Sequence, residues 1–248
     1  MTAYTVIRCR GIGEPSTGRT MLHNVTDQLP RDHYKPIELP WSAEYGPVPD
    51  PAGQSFDDAL ADGRRMLLSA IRGADNPVIL LGYSGGAMLA GNVADEIGRG
   101  EHPDIIAKLN AVGLVADPAQ PIGQADNGSF GVTGSRDINL ILTRWVWDER
   151  DPIPCTPTRS PLRTLADQSA AMSIADPYAW GADLIDRLLR AKWQPSAWDW
   201  LDLIGTARRY NHAIDQARYY LNGGHVRAYQ GAPFNGLARW IRTTTAHQ

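Results

Sequence analysis

Apolar residues in this chain fall into short continuous runs that alternate with stretches spaced three to four positions apart, the signature of strands alternating with helices. Residues 4–9, Tyr-Thr-Val-Ile-Arg-Cys, are rich in β-branched and aromatic side chains and predict an early central strand. A short helix over 20–29 and a second strand over 34–39 follow, then a Gly/Pro-rich loop to residue 53. Between 56 and 71, Phe56, Leu60, Met66, Leu67 and Ile71 recur at helical spacing, which predicts a helix packed on the sheet as the crossover to the next strand. That strand is the run opened by Pro77, and a small-residue helix continues from Ala87 to the Gly98-Arg99-Gly100 punctuation. Residues 109–115 and 143–147 predict two further strands, separated by a Gly/Asn/Gln-rich irregular loop over 119–136. Residues 182–189 and 198–221 are helical by pattern, with a break at Pro195-Ser196, and a final helix lies near 237–241. The expected fold class is α/β with a central parallel sheet. One domain spanning 1–248 is expected, with 180–222 as a helical excursion, since a chain of 248 residues can bury a full core.

The turn from the third strand to its helix reads Gly82-Tyr83-Ser84-Gly85-Gly86. Small residues at both ends let strand and helix approach closely, and the tight turn pushes the central side chain outward. With a strand before it and a helix after it, this is the G-x-S-x-G nucleophile elbow of α/β-hydrolases, and it makes Ser84 the candidate nucleophile. A serine needs a base to act at neutral pH, so a histidine and an orienting acid are expected later in the chain. Leu221-Asn222-Gly223-Gly224-His225 closes the long helix and delivers His225 in a loop. His23, His33 and His102 precede the expected order, His212 lies within a helix and His247 in the tail. For the acid, Asp151 sits in a Pro-containing turn just past a late strand, where such sheets hold it. Asp117 and Asp176 offer similar Asp-Pro turns and remain alternatives, while Asp148 fits less well because it still belongs to the strand end. Ser84, Asp151 and His225 follow the Ser, Asp, His chain order of the α/β-hydrolases.

The loop after the first strand, Arg10-Gly11-Ile12-Gly13-Glu14-Pro15, has a phosphate-cradling reading, but it lacks the third glycine and the opening helix of a dinucleotide fingerprint. Beside an elbow it more naturally supplies a backbone N–H to an oxyanion hole. Ile12 is the candidate donor, with the Gly85 N–H as the second. The aromatics Trp180, Trp193, Trp198, Trp200, Tyr210, Tyr219 and Tyr220 gather in the excursion. They fit either a packed helical core or an apolar groove for an acyl chain.

Composition narrows the partners. A formal net charge of -3 with no Lys/Arg cluster gives no footprint for nucleic acid or an anionic membrane surface. No apolar stretch approaches membrane-spanning length, so no stable membrane insertion is expected, and the N-terminus carries no evident signal peptide. Two cysteines, Cys9 and Cys155, give neither a disulfide framework nor a metal-ligand spacing. The expected chemistry requires no metal and no organic cofactor.

Taken together, the opening strand with its Arg10–Pro15 loop, the Ser84 elbow, the late Asp151, the helical excursion and the terminal Gly-Gly-His225 resemble the lysin B proteins of phages that infect mycolic-acid-bearing actinobacteria, relatives of cutinases and cutinase-like serine esterases. The resemblance implies a cutinase-like α/β-hydrolase fold and a mycolylarabinogalactan esterase, which cleaves the ester between mycolic acids and arabinogalactan during host lysis. It further implies synthesis in the host cytoplasm, action on the host envelope after release, and a lipidated cell-wall ester as the partner. Two positions depart from that pattern: Gly85 stands where Gln often follows the serine, and Arg10-Gly11 where the loop often begins His-Gly. A general cutinase-like carboxylesterase on shorter esters and a catalytically decayed envelope-binding protein are the competing expectations.

Overall fold

The computed structural model describes residues 3–46, 50, 53–163 and 202–246. Five strands form one parallel sheet in the order β2-β1-β3-β4-β5: β1 (Tyr4–Cys9), β2 (Tyr34–Glu38), β3 (Val78–Tyr83), β4 (Leu109–Val115) and β5 (Thr143–Val146). Parallel neighbours need crossovers, and the helices supply them. Helix α1 (His23–Thr26) lies between β1 and β2, α2 (Phe56–Gly73) between β2 and β3, and α3 (Gly85–Gly98) between β3 and β4. Three more described helices follow: α4 (Leu203–Leu221), α5 (Gly224–Arg227) and α6 (Ala232–Thr245).

Both faces of the sheet are covered, and the period-two pattern of each strand divides its side chains between them. Ile7, Cys9, Leu80, Val112 and Leu114 face Leu67, Ile71, Leu89, Val93 and Ile97 of α2 and α3. Val6, Ile79, Leu81, Ala111 and Val115 face the other way, onto Leu22 and Val25 around α1 and Phe234, Leu237 and Ile241 of α6. Every residue of β3 is buried, so its continuous apolar run reflects a strand with two cores. Each such Leu, Ile or Val stabilises the fold by roughly 1.5–3 kcal/mol through burial alone.

The helix expected over 20–29 contracts to a single α-helical turn, because only the Thr26 and Asp27 N–H groups reach carbonyls four residues back, while the N–H groups of residues 23, 24, 28 and 29 bond three residues back. The last helix runs well beyond 237–241, opened by Gly231 at φ 76° with Pro233 in its first turn. Residues 182–189, Asp176 and the four tryptophans of the excursion lie outside the described residues.

Strand order places the functional end of the sheet. The chain leaves β1 toward β2, then returns across β1 to β3, so the loops after β1 and β3 diverge in opposite directions from adjacent strands. A crevice opens at the carboxyl ends of strands where the winding reverses. The 10–14 loop and the Ser84 elbow both sit at that switch point.

Candidate active site

Ser84 occupies the apex of the β3–α3 turn with φ 53° and ψ -119°, a conformation that non-glycine residues rarely adopt. Its N–H donates to Val115 O at 2.9 Å, and its carbonyl accepts from Ala87 N and Met88 N, so the strained residue is held by β4 on one side and by its own helix on the other. The turn exists because Gly86 permits it. A Cβ there would stand 1.9 Å from Cys9 O and 2.4 Å from Arg10 O, so only glycine lets α3 start directly against the end of β1.

His225 reaches the elbow from the far end of the chain. Helix α4 ends at Asn222, and Gly223 takes the left-handed conformation, φ 75°, that reverses the chain. The expected loop is instead the short helical turn α5, because Val226, Arg227 and Ala228 N–H groups return to Gly223 and Gly224 carbonyls. These bonds fix the backbone of His225. Its imidazole is stacked on Tyr83, with ring centroids 5.2 Å apart and planes 27° apart, and Tyr220 lies tilted 5.1 Å away. The Tyr83 hydroxyl donates to the His225 carbonyl at 3.1 Å.

Three of the expected residues form one hydrogen-bonded chain. Ser84 Oγ and His225 Nε2 are 3.0 Å apart, and His225 Nδ1 and Asp151 Oδ2 are 2.7 Å apart. An ionised carboxylate only accepts, so Nδ1 carries the proton and Nε2 is left as the acceptor for the Ser84 hydroxyl. Asp151 itself has no exposed surface. Its Oδ1 accepts the Ile153 N–H at 3.0 Å, and its Oδ2 also accepts the Tyr229 hydroxyl at 2.6 Å. Three donors thus compensate one buried charge. Burial, reinforced by the Asp151 charge, pushes the phenols of Tyr83 and Tyr229 up, so both remain neutral donors.

Asp117 is equally buried but serves a different purpose. Its Oδ2 accepts from Arg136 NH2 at 2.6 Å and Trp145 Nε1 at 3.1 Å, and its Oδ1 from Ala119 N at 3.0 Å. Arg136 also bonds Asn92 Oδ1 of α3 at 2.7 Å. The pair therefore fastens the 119–136 loop to β5 and α3. Asp148 is held by Arg150 at the surface. Cys9 and Cys155 are separate buried thiols.

The two expected oxyanion donors are neighbours. A Cβ at Gly85 would lie 2.6 Å from Ile12 Cγ1, so the 10–14 loop and the start of α3 are in van der Waals contact. Neither the Ile12 nor the Gly85 N–H donates to another described residue. Among the described residues no group of His, Cys, Asp and Glu side chains has the arrangement of a metal site, and no helix is long and apolar enough to cross a membrane.

Three residues of this site carried no signal in the sequence. Tyr229 looks like any aromatic beside a terminal helix, Tyr83 like the variable position of the elbow, and Tyr220 like one of many aromatics in α4.

No family model matches the sequence, and none of the curated proteins is significantly similar to it. Solved structures do match. The crystal structure of lysin B from Mycobacteriophage D29 aligns over 98% of this chain and 100% of that one, with 15% identity and a TM-score of 0.57. An acetylxylan esterase aligns over 69% of this chain and 95% of that one, with 15% identity and a TM-score of 0.50. A cutinase-like protein from Cryptococcus sp. aligns more loosely, over 62% of this chain and 79% of that one, with 21% identity and a TM-score of 0.45. The α/β fold with a five-stranded parallel sheet is shared with the lysin B and acetylxylan esterase structures. At these identities the likeness is one of architecture.

Proposed function

We propose that the protein is a serine esterase that hydrolyses the ester joining mycolic acids to arabinogalactan in a mycobacterial-type cell envelope, acting at the end of a phage infection. The observation that carries the chemistry is the Ser84–His225–Asp151 hydrogen-bond chain, with its serine on a strained elbow at the switch point of the sheet. In this reading His225 Nε2 takes the Ser84 proton as Oγ attacks the ester carbonyl, and Asp151 stabilises the imidazolium that forms. The tetrahedral oxyanion is received by the Ile12 and Gly85 N–H groups. Its collapse expels the alcohol, protonated by His225, and leaves an acyl-serine. Water, deprotonated by the same imidazole, then attacks the acyl carbon and releases the acid and Ser84. The substrate assignment is supported by the end-to-end alignment with a phage lysin B together with the resemblance in motif order.

A second reading, a general cutinase-like carboxylesterase on shorter esters, is favoured by the likeness to an acetylxylan esterase. The third expectation, a decayed hydrolase that only binds the envelope, sits poorly with an unbroken hydrogen-bond chain. The deciding experiment is release of free mycolic acids from purified mycolyl-arabinogalactan-peptidoglycan by the native protein and by Ser84→Ala. Release that vanishes in the variant supports the proposal. Cleavage of p-nitrophenyl butyrate without mycolate release moves the assignment to the general esterase, and inertness toward both substrates and a fluorophosphonate probe moves it to the binding protein.

A further inference from the structure

Arg10 and Glu14 bracket the turn after β1, and both side chains are committed to backbone groups. The Arg10 guanidinium, 2% exposed as a residue, donates to three carbonyls: Nε to Glu14 O at 3.1 Å, NH1 to Leu39 O at 3.3 Å and NH2 to Ser42 O at 3.0 Å. The Glu14 carboxylate accepts the Gly11 N–H on Oε2 at 2.7 Å and the Met21 N–H on Oε1 at 2.6 Å. These five bonds tie residues 10–14 to the 39–42 segment on one side and to residue 21 on the other. A turn needs no such investment of charge. Burying an ion costs several kcal/mol unless its partners are well placed, and burial does push the Glu14 carboxyl up against the pull of its two N–H donors.

Peptide geometry shows what the frame controls. The Glu14 N–H donates to Gly11 O at 3.2 Å, so the carbonyl of the 11–12 peptide points into the turn. In a planar trans peptide the N–H is directed opposite to the carbonyl, so the Ile12 N–H points out of the turn. Glu14 therefore grips Gly11 twice: its N–H holds the carbonyl of the 11–12 peptide, which carries the Ile12 N–H, and its carboxylate holds the N–H of the preceding 10–11 peptide, so both peptide planes flanking the Gly11 Cα are fixed. Arg10 in turn holds the Glu14 carbonyl. We propose that Arg10 and Glu14 are positioning residues that hold the Ile12 N–H in the orientation of an oxyanion donor before charge develops on the substrate, an inference that rests on the esterase reading above. The planar Arg10 guanidinium spans three carbonyls at once, which a compact ammonium group cannot do.

The test compares Glu14→Gln with the native protein on a p-nitrophenyl ester and on the matching thionoester. Glutamine keeps the shape but accepts on one atom only and sets an NH2 against a backbone N–H. Hydrogen-bond donors stabilise a developing oxyanion far more than a developing thiolate-like sulfur. The expected result is a fall in ester kcat of about 10- to 100-fold with KM little changed, and a fall in the ester-to-thionoester ratio by a similar factor. A purely structural role lowers both substrates together, so an unchanged ratio overturns the inference. If Glu14→Gln does not fold, Arg10→Lys, which keeps the charge but cannot reach three carbonyls, carries the same readout and the same two outcomes. Ser84→Ala run alongside separates the two levels. A dead Ser84→Ala with an unchanged ratio in the Glu14 variant refutes the positioning role alone, whereas an active Ser84→Ala refutes the esterase reading and this inference with it.

Discussion

Two aspartates in this chain follow parallel strands, precede prolines and have no exposed surface, yet their isosteric amides are expected to fail in different ways. Asp117→Asn removes the charge from a pair in which Arg136 retains 8% side-chain exposure and Asp117 none. Breaking a buried pair by taking away one partner costs about 3–5 kcal/mol. For a domain of this size each kcal/mol moves the midpoint by about 2–4 °C, so the thermal transition is expected to fall by roughly 6–20 °C. Turnover of the folded protein should change little, because Asp117 bonds Arg136, Trp145 and the Ala119 N–H rather than His225. Asp151→Asn fails chiefly in turnover. If the amide oxygen faces His225, the amide NH2 opposes the Ile153 N–H; if it turns over, the NH2 forces the wrong imidazole tautomer. A loss of about 10⁴ in kcat is expected, equivalent to ~5.4 kcal/mol of transition-state stabilisation. Thermal melts followed by far-UV circular dichroism, paired with kcat on p-nitrophenyl butyrate, measure both quantities for both variants. A 10⁴ loss in Asp117→Asn at an unchanged midpoint, or turnover within tenfold of native in Asp151→Asn, would refute the assignment of roles.

Gly86→Ala sets a Cβ against two backbone carbonyls that no rotamer change can clear. It should lower stability by at least the roughly 1–3 kcal/mol of ordinary overpacking and reduce kcat as the 10–14 loop is forced from the elbow; a variant with native melting and native turnover would show that the close approach is dispensable. Tyr229→Phe deletes one of three donors to Asp151, so stability should fall by about 1.5–3 kcal/mol while kcat drops less than tenfold, as judged by urea unfolding and steady-state kinetics. A larger kinetic loss would make Tyr229 the main orienter of the acid. Burial, with Asp151 nearby, pushes the Cys155 thiol from 9.0 up to about 12. A group whose folded-state value is raised contributes fully below its unfolded value and loses that contribution as pH climbs through the folded one, so stability should decline from about pH 9 upward by as much as ~1.4 kcal/mol per pH unit from this thiol. Cys155→Ala should flatten that decline, and an identical slope in the variant would contradict the shift.

What the sequence determined by itself was whatever depends on near neighbours. The run from Val78 to Tyr83 is continuous because both faces of β3 are buried, and that is readable residue by residue. The Gly82-x-Ser84-x-Gly86 spacing encodes a turn whose geometry is settled within a few positions, and the order of serine, aspartate and histidine is a property of the chain itself. The tertiary structure decided which buried acid meets the histidine. Asp117 and Asp151 present nearly the same local signal, and they diverge only because sheet order brings Arg136 and Trp145 to one and His225 and Tyr229 to the other, across separations of 74 and 78 residues for the latter two. The same holds for Glu14, whose role exists only where the loop after β1 is folded against the elbow after β3. Turn and strand preferences act over a few residues, whereas hydrogen-bond partners for a buried charge are assigned by topology, and no local pattern carries that information.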